Sequence, residues 1–104
     1  MINGISSNAS QSGMAAAMQR LDAAASNTAN RATEGFQRRE VQQSARADGG
    51  VEARTVRTDQ PNGSDQAAIR DAVEARAAQR DFEANAAAFR AREDAIGSLF
   101  DERA

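Results

Sequence analysis

The chain has 104 residues, the length of one domain, but Leu, Ile, Val and Phe together supply only 14 of them. The 40% hydrophobic content rests on 25 alanines, which bury little area each, so a thick autonomous core is excluded. With a net charge of -2, no cysteine and no histidine, the composition gives no basis for a disulfide framework, a thiol or imidazole site, or nucleic-acid binding. No apolar run is long enough to span a bilayer, and the first residues do not resemble a secretory signal.

The first segment, 7–32, repeats small or flexible residues at alternating steps of four and three. This spacing predicts a helix that packs along another helix. Gly35 follows as the predicted helix terminator. We call the repeating positions the N-stripe: Met14, Met18, Leu21, Ala25, Thr28 and Ala32.

The middle segment predicts a β-hairpin or a mobile loop, and the sequence favours neither strongly. Two polar stretches, 39–47 and 51–58, flank the turn signal Asp48-Gly49-Gly50. An isolated hairpin is only marginally stable in water, which keeps the loop alternative open. Ser64 or Asp65 is then placed to cap the next helix.

The third segment, 65–103, predicts one long helix with a continuous stripe at alternating steps of three and four. Three of the four phenylalanines lie on this stripe, and the helix is longer than any compact core the chain could build. We call these positions the C-stripe: Ala72, Ala75, Gln79, Phe82, Ala86, Phe89, Glu93, Ile96 and Phe100.

These elements predict a mainly α fold in which two long terminal helices pack as a coiled-coil-like pair, with a short hairpin or loop between them. The expected segments are the N-terminal helix and turn motif at 1–38, the hairpin or loop at 39–64, and the C-terminal helix at 65–104. Together they form one structural unit.

Two blocks of the sequence resemble the bacterial flagellar rod and hook proteins. Residues 21–38 read LDAAASNTANRATEGFQR, similar to that family's A-N-N-L-A-N run followed by N-T-P-G-F and a basic residue. Residues 78–86 read AQRDFEANA and resemble the family's A-Q-R-[A/D]-[Y/F]-E-A-N-A, with Phe89 and 93–97 continuing the likeness. The two blocks occur in the family's order at the two ends of the chain. Glu34 stands where the family has proline, and the middle segment is short, as in a small proximal-rod member.

The resemblance implies a structural, non-enzymatic subunit of the flagellar basal-body rod. Such a subunit is exported by type III secretion without a cleaved signal peptide and assembles helically with copies of itself and other rod subunits. Ring and export-gate proteins of the basal body are further candidate partners. No cofactor, metal, nucleic acid or membrane span is expected. The candidate assembly residues are Met18, Leu21, Ala25, Asn27, Asn30, Gly35, Phe36, Gln79, Phe82, Asn85, Phe89, Ile96 and Phe100.

Some of these residues carry more specific hypotheses. The amides of Asn27, Asn30 and Asn85 are expected to bond to adjacent subunits and fix their register, with capping as the alternative for Asn30. Gly35 is expected at a turn with positive φ. Phe36 is expected to pack as a core or staple residue.

Two other classes of protein compete with the rod hypothesis. A soluble coiled-coil adaptor or regulator linked to flagellar secretion would share the terminal motifs, and Glu34 and the short middle segment motivate it. A glycosidase would need paired carboxylates, and Asp81 and Glu83 are the nearest pair. Residues two apart on a helix do not face each other, which makes an enzyme the weakest of the three.

Overall fold

The structure is a computed structural model that describes residues 2–103, with side chains described from 8 to 101. Helix α1 spans Ile2–Ala29 and helix α2 spans Asp65–Arg103, with strands β1 (Arg39–Ala45) and β2 (Val51–Arg57) between them. The predicted fold class is confirmed, because the chain is mainly helical, its two helices pack together, and a short hairpin separates them. Within the described residues, neither helix has an apolar stretch long enough to cross a membrane.

The two helices run antiparallel and lie very close together. About midway along the pair Gly13 meets Asn85, and at the end where α1 stops and α2 begins Arg31 pairs with Asp65 at 3.7 Å. A Cβ added at Gly13 would lie 2.6 Å from the Asn85 amide, so only glycine fits there without moving that side chain.

The apolar part of the core is built from small residues that do not belong to the predicted stripes. The buried apolar side chains are Ala16, Ala17, Ala23, Ala24, Ala67 and Ala78. The two helices therefore pack along each other, but the N-stripe and C-stripe are not the residues that face the partner helix within the single chain. On α1 the inward positions are 13, 17, 20, 24 and 27, and on α2 they are 71, 74, 78, 81 and 85. Each lies one residue, about 100°, before its stripe counterpart. Alanine and glycine at these positions let the helices approach more closely than phenylalanine would.

This arrangement leaves the molecule long and thin. Its extents are 62 × 23 × 16 Å and its radius of gyration is 17.5 Å, against about 13 Å for a compact domain of this length. The accessible surface is 7310 Å², whereas a compact monomer of 11.0 kDa exposes about 5600 Å². The chain thus has much more surface than its own fold can bury.

The middle segment forms the hairpin rather than the loop. The strands pair antiparallel from Arg39 opposite Arg57 to Ala45 opposite Val51. The turn closes as its residues predict. Gly49 has φ +90°, and the Asp48 carboxylate accepts a hydrogen bond of 2.9 Å from the Gly50 N–H. That bond lowers the pKa of Asp48 below its ordinary value.

The helix ends agree only partly with the sequence. Ser64 caps α2, because its hydroxyl accepts a 3.1 Å hydrogen bond from the Ala67 N–H. α1, however, ends at Ala29, six residues before Gly35, so Gly35 is not its terminator. Asn30 ends the helix instead, since its amide donates to the Ser26 carbonyl at 2.9 Å.

Candidate assembly surface

A buried ion pair joins the start of the hairpin to α2. The Arg38 guanidinium donates to both carboxylate oxygens of Asp71, from Nη2 to Oδ1 at 2.7 Å and from Nη1 to Oδ2 at 3.0 Å. The two side chains are only 8% and 4% exposed. Two parallel charge-assisted bonds fix both distance and angle. The pair therefore sets where the chain leaving α1 crosses α2.

Two asparagines complete this cluster, which we call the polar junction: Asn27, Arg38, Asn62 and Asp71. The Asn27 amide donates to the Arg39 carbonyl at 2.9 Å and to Asp71 at 3.3 Å, and its oxygen accepts from the Arg39 N–H at 2.8 Å. Asn62 accepts from Arg38 at 3.1 Å and donates to the carbonyls of Asn27 and Asn30, both at 3.0 Å. Asn62 thus bonds to two carbonyls at the end of α1, where the last carbonyls of a helix lack partners within the helix.

The three asparagines of the assembly hypothesis all form hydrogen bonds within the chain. The buried Asn27 amide bonds to Arg39 and Asp71. Asn30 has the capping role, bonding to the Ser26 carbonyl and accepting from the Thr33 hydroxyl at 3.1 Å. Asn85 donates to the Asp81 carbonyl one turn earlier, at 2.8 Å.

The turn after α1 holds the remaining motif residues. Gly35 has φ +77°, as predicted, and no atom lies within 4 Å of where its Cβ would be. The requirement for glycine there is thus purely a backbone requirement. Phe36 is half-buried.

Arg20 joins the middle of α1 to α2 through two carboxylates. Its guanidinium donates to Glu74 at 2.5 Å and also to Asp81 on the next turns of α2. The hydrogen bond to Glu74, together with that to Asp81, raises the pKa of Arg20. Asp81, the proposed glycosidase carboxylate, is therefore tied into a structural ion pair.

The two stripes together form one face of the molecule. Each stripe follows its buried counterpart by one residue, and because the helices are antiparallel these equal rotations turn both stripes to the same side of the pair. The hairpin lies on the opposite side. Ser12, one residue before Gly13, accepts a 3.0 Å hydrogen bond from the Val51 N–H. Gln19 and Ala23 line a hollow with Thr55 and Arg57 of β2.

This face, which we call the stripe face, carries most of the large apolar side chains of the two helices. Met18 is 49% exposed, Phe82 36% and Phe100 66%. Leu21, Phe89 and Ile96 are half-buried, and Ala25 and Gln79 are exposed. The structure therefore brings the stripe residues among the candidate assembly residues onto one accessible surface, and it separates them from Asn27 and Asn30 in and beside the polar junction.

The candidate assembly residues did not include five members of the polar junction and of the Arg20 ion pairs: Arg20, Arg38, Asn62, Asp71 and Glu74. Asp71 and Glu74 lie one residue before stripe positions, so they resembled ordinary polar residues of the exposed helix surface. Asn62 lies in a Pro-Asn-Gly turn signal that explains an asparagine without any tertiary bond. Arg38 is the basic residue that ends the first motif block, and that position was the only available signal.

Compared with known family models, curated proteins and solved structures, the chain matches none.

Proposed function

We propose that this chain is a structural subunit of the bacterial flagellar basal-body rod, which assembles through its stripe face. The resemblance of residues 21–38 and 78–86 to rod and hook proteins motivates the assignment. The observation that carries it is the geometry of the two blocks. The first block contributes Leu21 and the second contributes Phe82 to a single face, on the side of the molecule away from the hairpin.

The energetics favour a protein that is completed by neighbours. The buried apolar residues of the helix pair are alanines, each of which contributes little transfer free energy. The phenylalanines of the stripe face would contribute far more once covered, since a fully buried Phe stabilises by about 1.5–3 kcal/mol. Association therefore offers this chain more burial of large apolar groups than folding alone does, as expected for an axial subunit that is ordered by its neighbours.

The polar junction has a separate role in the proposal. It fixes the relative position of the helices and the hairpin without using the stripe face. A subunit that repeats many times needs a constant shape, and a fully bonded polar cluster gives specific geometry. The junction shapes the subunit, and the stripe face binds the neighbour.

The experiment is to complement a deletion in the source bacterium and to quantify the chain in purified basal bodies. Phe82→Ala and Phe89→Ala should leave export intact and prevent incorporation, because the lost contact recurs at every subunit. Ile69→Ala is the matched control, since Ile69 is 64% exposed and lies off the C-stripe. Wild-type chain that is absent from basal bodies and remains in the cytoplasm would favour the adaptor, and a source bacterium without flagella would refute the rod assignment.

A further inference from the structure

A charged edge runs along α2 beside the C-stripe, on the side away from α1. Each of its residues follows a stripe residue by one position. All five residues of its central part are exposed, and no ion pair within the described residues uses any of their charges. Glu83 accepts only a long hydrogen bond of 3.4 Å from Gln79. The central part of the edge consists of Arg80, Glu83, Ala87, Arg90 and Asp94.

The charges on this edge are arranged with opposite signs about Ala87. Glu83 lies four residues before Ala87, and Arg90 lies three after it. Arg80 and Asp94 lie seven residues before and seven after. Each acid on one side of Ala87 thus has a base on the other side, at the same distance for Arg80 and Asp94 and within one residue of it for Glu83 and Arg90.

These charges are complementary to those of a second copy of α2 that runs in the opposite direction. If two α2 helices cross a two-fold axis at Ala87, Glu83 of each copy faces Arg90 of the other, and Arg80 of each faces Asp94 of the other. Four ion pairs result. In a parallel pair in register, every one of these charges would instead face its own copy, which is repulsive.

The same alignment suits the neighbouring apolar positions. With Ala87 at the axis, Phe89 of each copy lies within one residue of Ala86 of the other, so a large side chain meets a small one. Burial of the C-stripe supplies the affinity of such a contact, because exposed ion pairs are individually weak. The charges set its direction and register.

We propose that two copies of this chain form an antiparallel homodimer through α2, with the two-fold axis at Ala87, the C-stripe as the buried contact and Glu83–Arg90 and Arg80–Asp94 as cross-pairs. A two-fold dimer of this kind is the commonest form of self-association in soluble proteins. The inference does not rest on the rod assignment, because it uses only the faces of α2.

The first test is a charge exchange on the full purified chain, with the dimer dissociation constant measured by sedimentation equilibrium. Glu83→Arg or Arg90→Glu alone should raise that constant about tenfold or more, because each turns two attractive contacts into two repulsive ones. The double variant, Glu83→Arg with Arg90→Glu, should restore it to within about threefold of the wild type. A monomeric wild type, or a double variant as weak as the single ones, would overturn the proposal.

The second test uses the absence of cysteine in the chain. Ala87→Cys should be cross-linked to dimer by a short bis-maleimide, because its two copies meet at the axis. Val73→Cys is the matched control on the same edge, since Val73 is 62% exposed. It lies fourteen residues from the axis, so its two copies would be about 42 Å apart. Equal cross-linking of both variants would indicate a parallel dimer, and no cross-linking at Ala87→Cys would exclude the axis; either result refutes the proposal.

Discussion

Removing the negative charge of the polar junction should destabilise this chain severely. Asp71→Asn keeps the shape of the side chain but leaves the Arg38 guanidinium, only 8% exposed, without its counter-ion. Three hydrogen bonds end on the carboxylate: two from Arg38 at 2.7 and 3.0 Å and one from Asn27 at 3.3 Å. Breaking a buried pair by removing one partner typically costs about 3–5 kcal/mol. We expect about 3 kcal/mol here, because the new amide oxygen can still accept one of the bonds.

The assay is urea unfolding followed by far-ultraviolet circular dichroism, at one fixed protein concentration because association also adds stability. Asp65→Asn is the control. Like Asp71→Asn, it removes a negative charge that pairs an arginine of the segment after α1 with α2. The Arg31–Asp65 pair differs in being long, at 3.7 Å, and in having a fully exposed aspartate. Asp65→Asn should lower the unfolding midpoint only slightly, through the charge lost from the first turn of α2. Adding Arg38→Met to Asp71→Asn should cost little more, because the two residues act as one unit. Equal, small effects of the two Asp→Asn variants would show that the junction does not stabilise the fold.

Three further predictions concern the two turns and the thin core. Gly35→Val should lower stability and basal-body incorporation more than Gly35→Ala, which should cost about 1–2 kcal/mol, since φ is +77° and no neighbouring atom adds a clash. Unchanged thermal stability of the Gly35→Ala variant would contradict this backbone conformation. Helix content should rise with protein concentration, because the stripe face is covered only on association; a cooperative melt independent of concentration would count against that. The hydrogen bond from the Gly50 N–H should give Asp48 a pKa below its ordinary value of 3.8 in an NMR titration. The ionised carboxylate therefore stabilises the turn, and this stabilisation is lost as the pH falls through the lowered pKa. Asp48→Ala should abolish this pH dependence.

Most of the fold could be predicted because its signals are local. Alternating steps of three and four over many positions leave few alternatives to a helix, and Ser64 marks where α2 begins. Asp48-Gly49-Gly50 supplies the positive φ that the hairpin turn uses. The sequence did not decide between a hairpin and a loop, because the stability of the hairpin depends on packing against α1 through Ser12.

The helix contact could not be predicted because periodicity identifies a stripe but not its partner. Hydrophobic size drew attention to Phe82 and Phe89, whereas the buried apolar residues of α2 are Ala67 and Ala78. The polar junction was hidden for a related reason. Asp71 and Asn62 find their hydrogen-bond partners only when residues 27, 38, 62 and 71 come together in the folded chain. No local spacing in the sequence indicates that these residues are neighbours.

The placement of small residues inside and large residues outside explains how fold and association can coexist in this chain. Had the C-stripe faced α1, Phe82 and Phe89 would have held the helices apart and Gly13 could not contact Asn85. Alanine contacts alone give little free energy, so bonded polar groups at Arg38 and Arg20 determine how the helices align. The apolar groups that would strengthen a larger protein's core remain available to a second chain. A homodimer and a rod neighbour would compete for this one face, so any partner in the rod must bury the C-stripe more fully than the homodimer does.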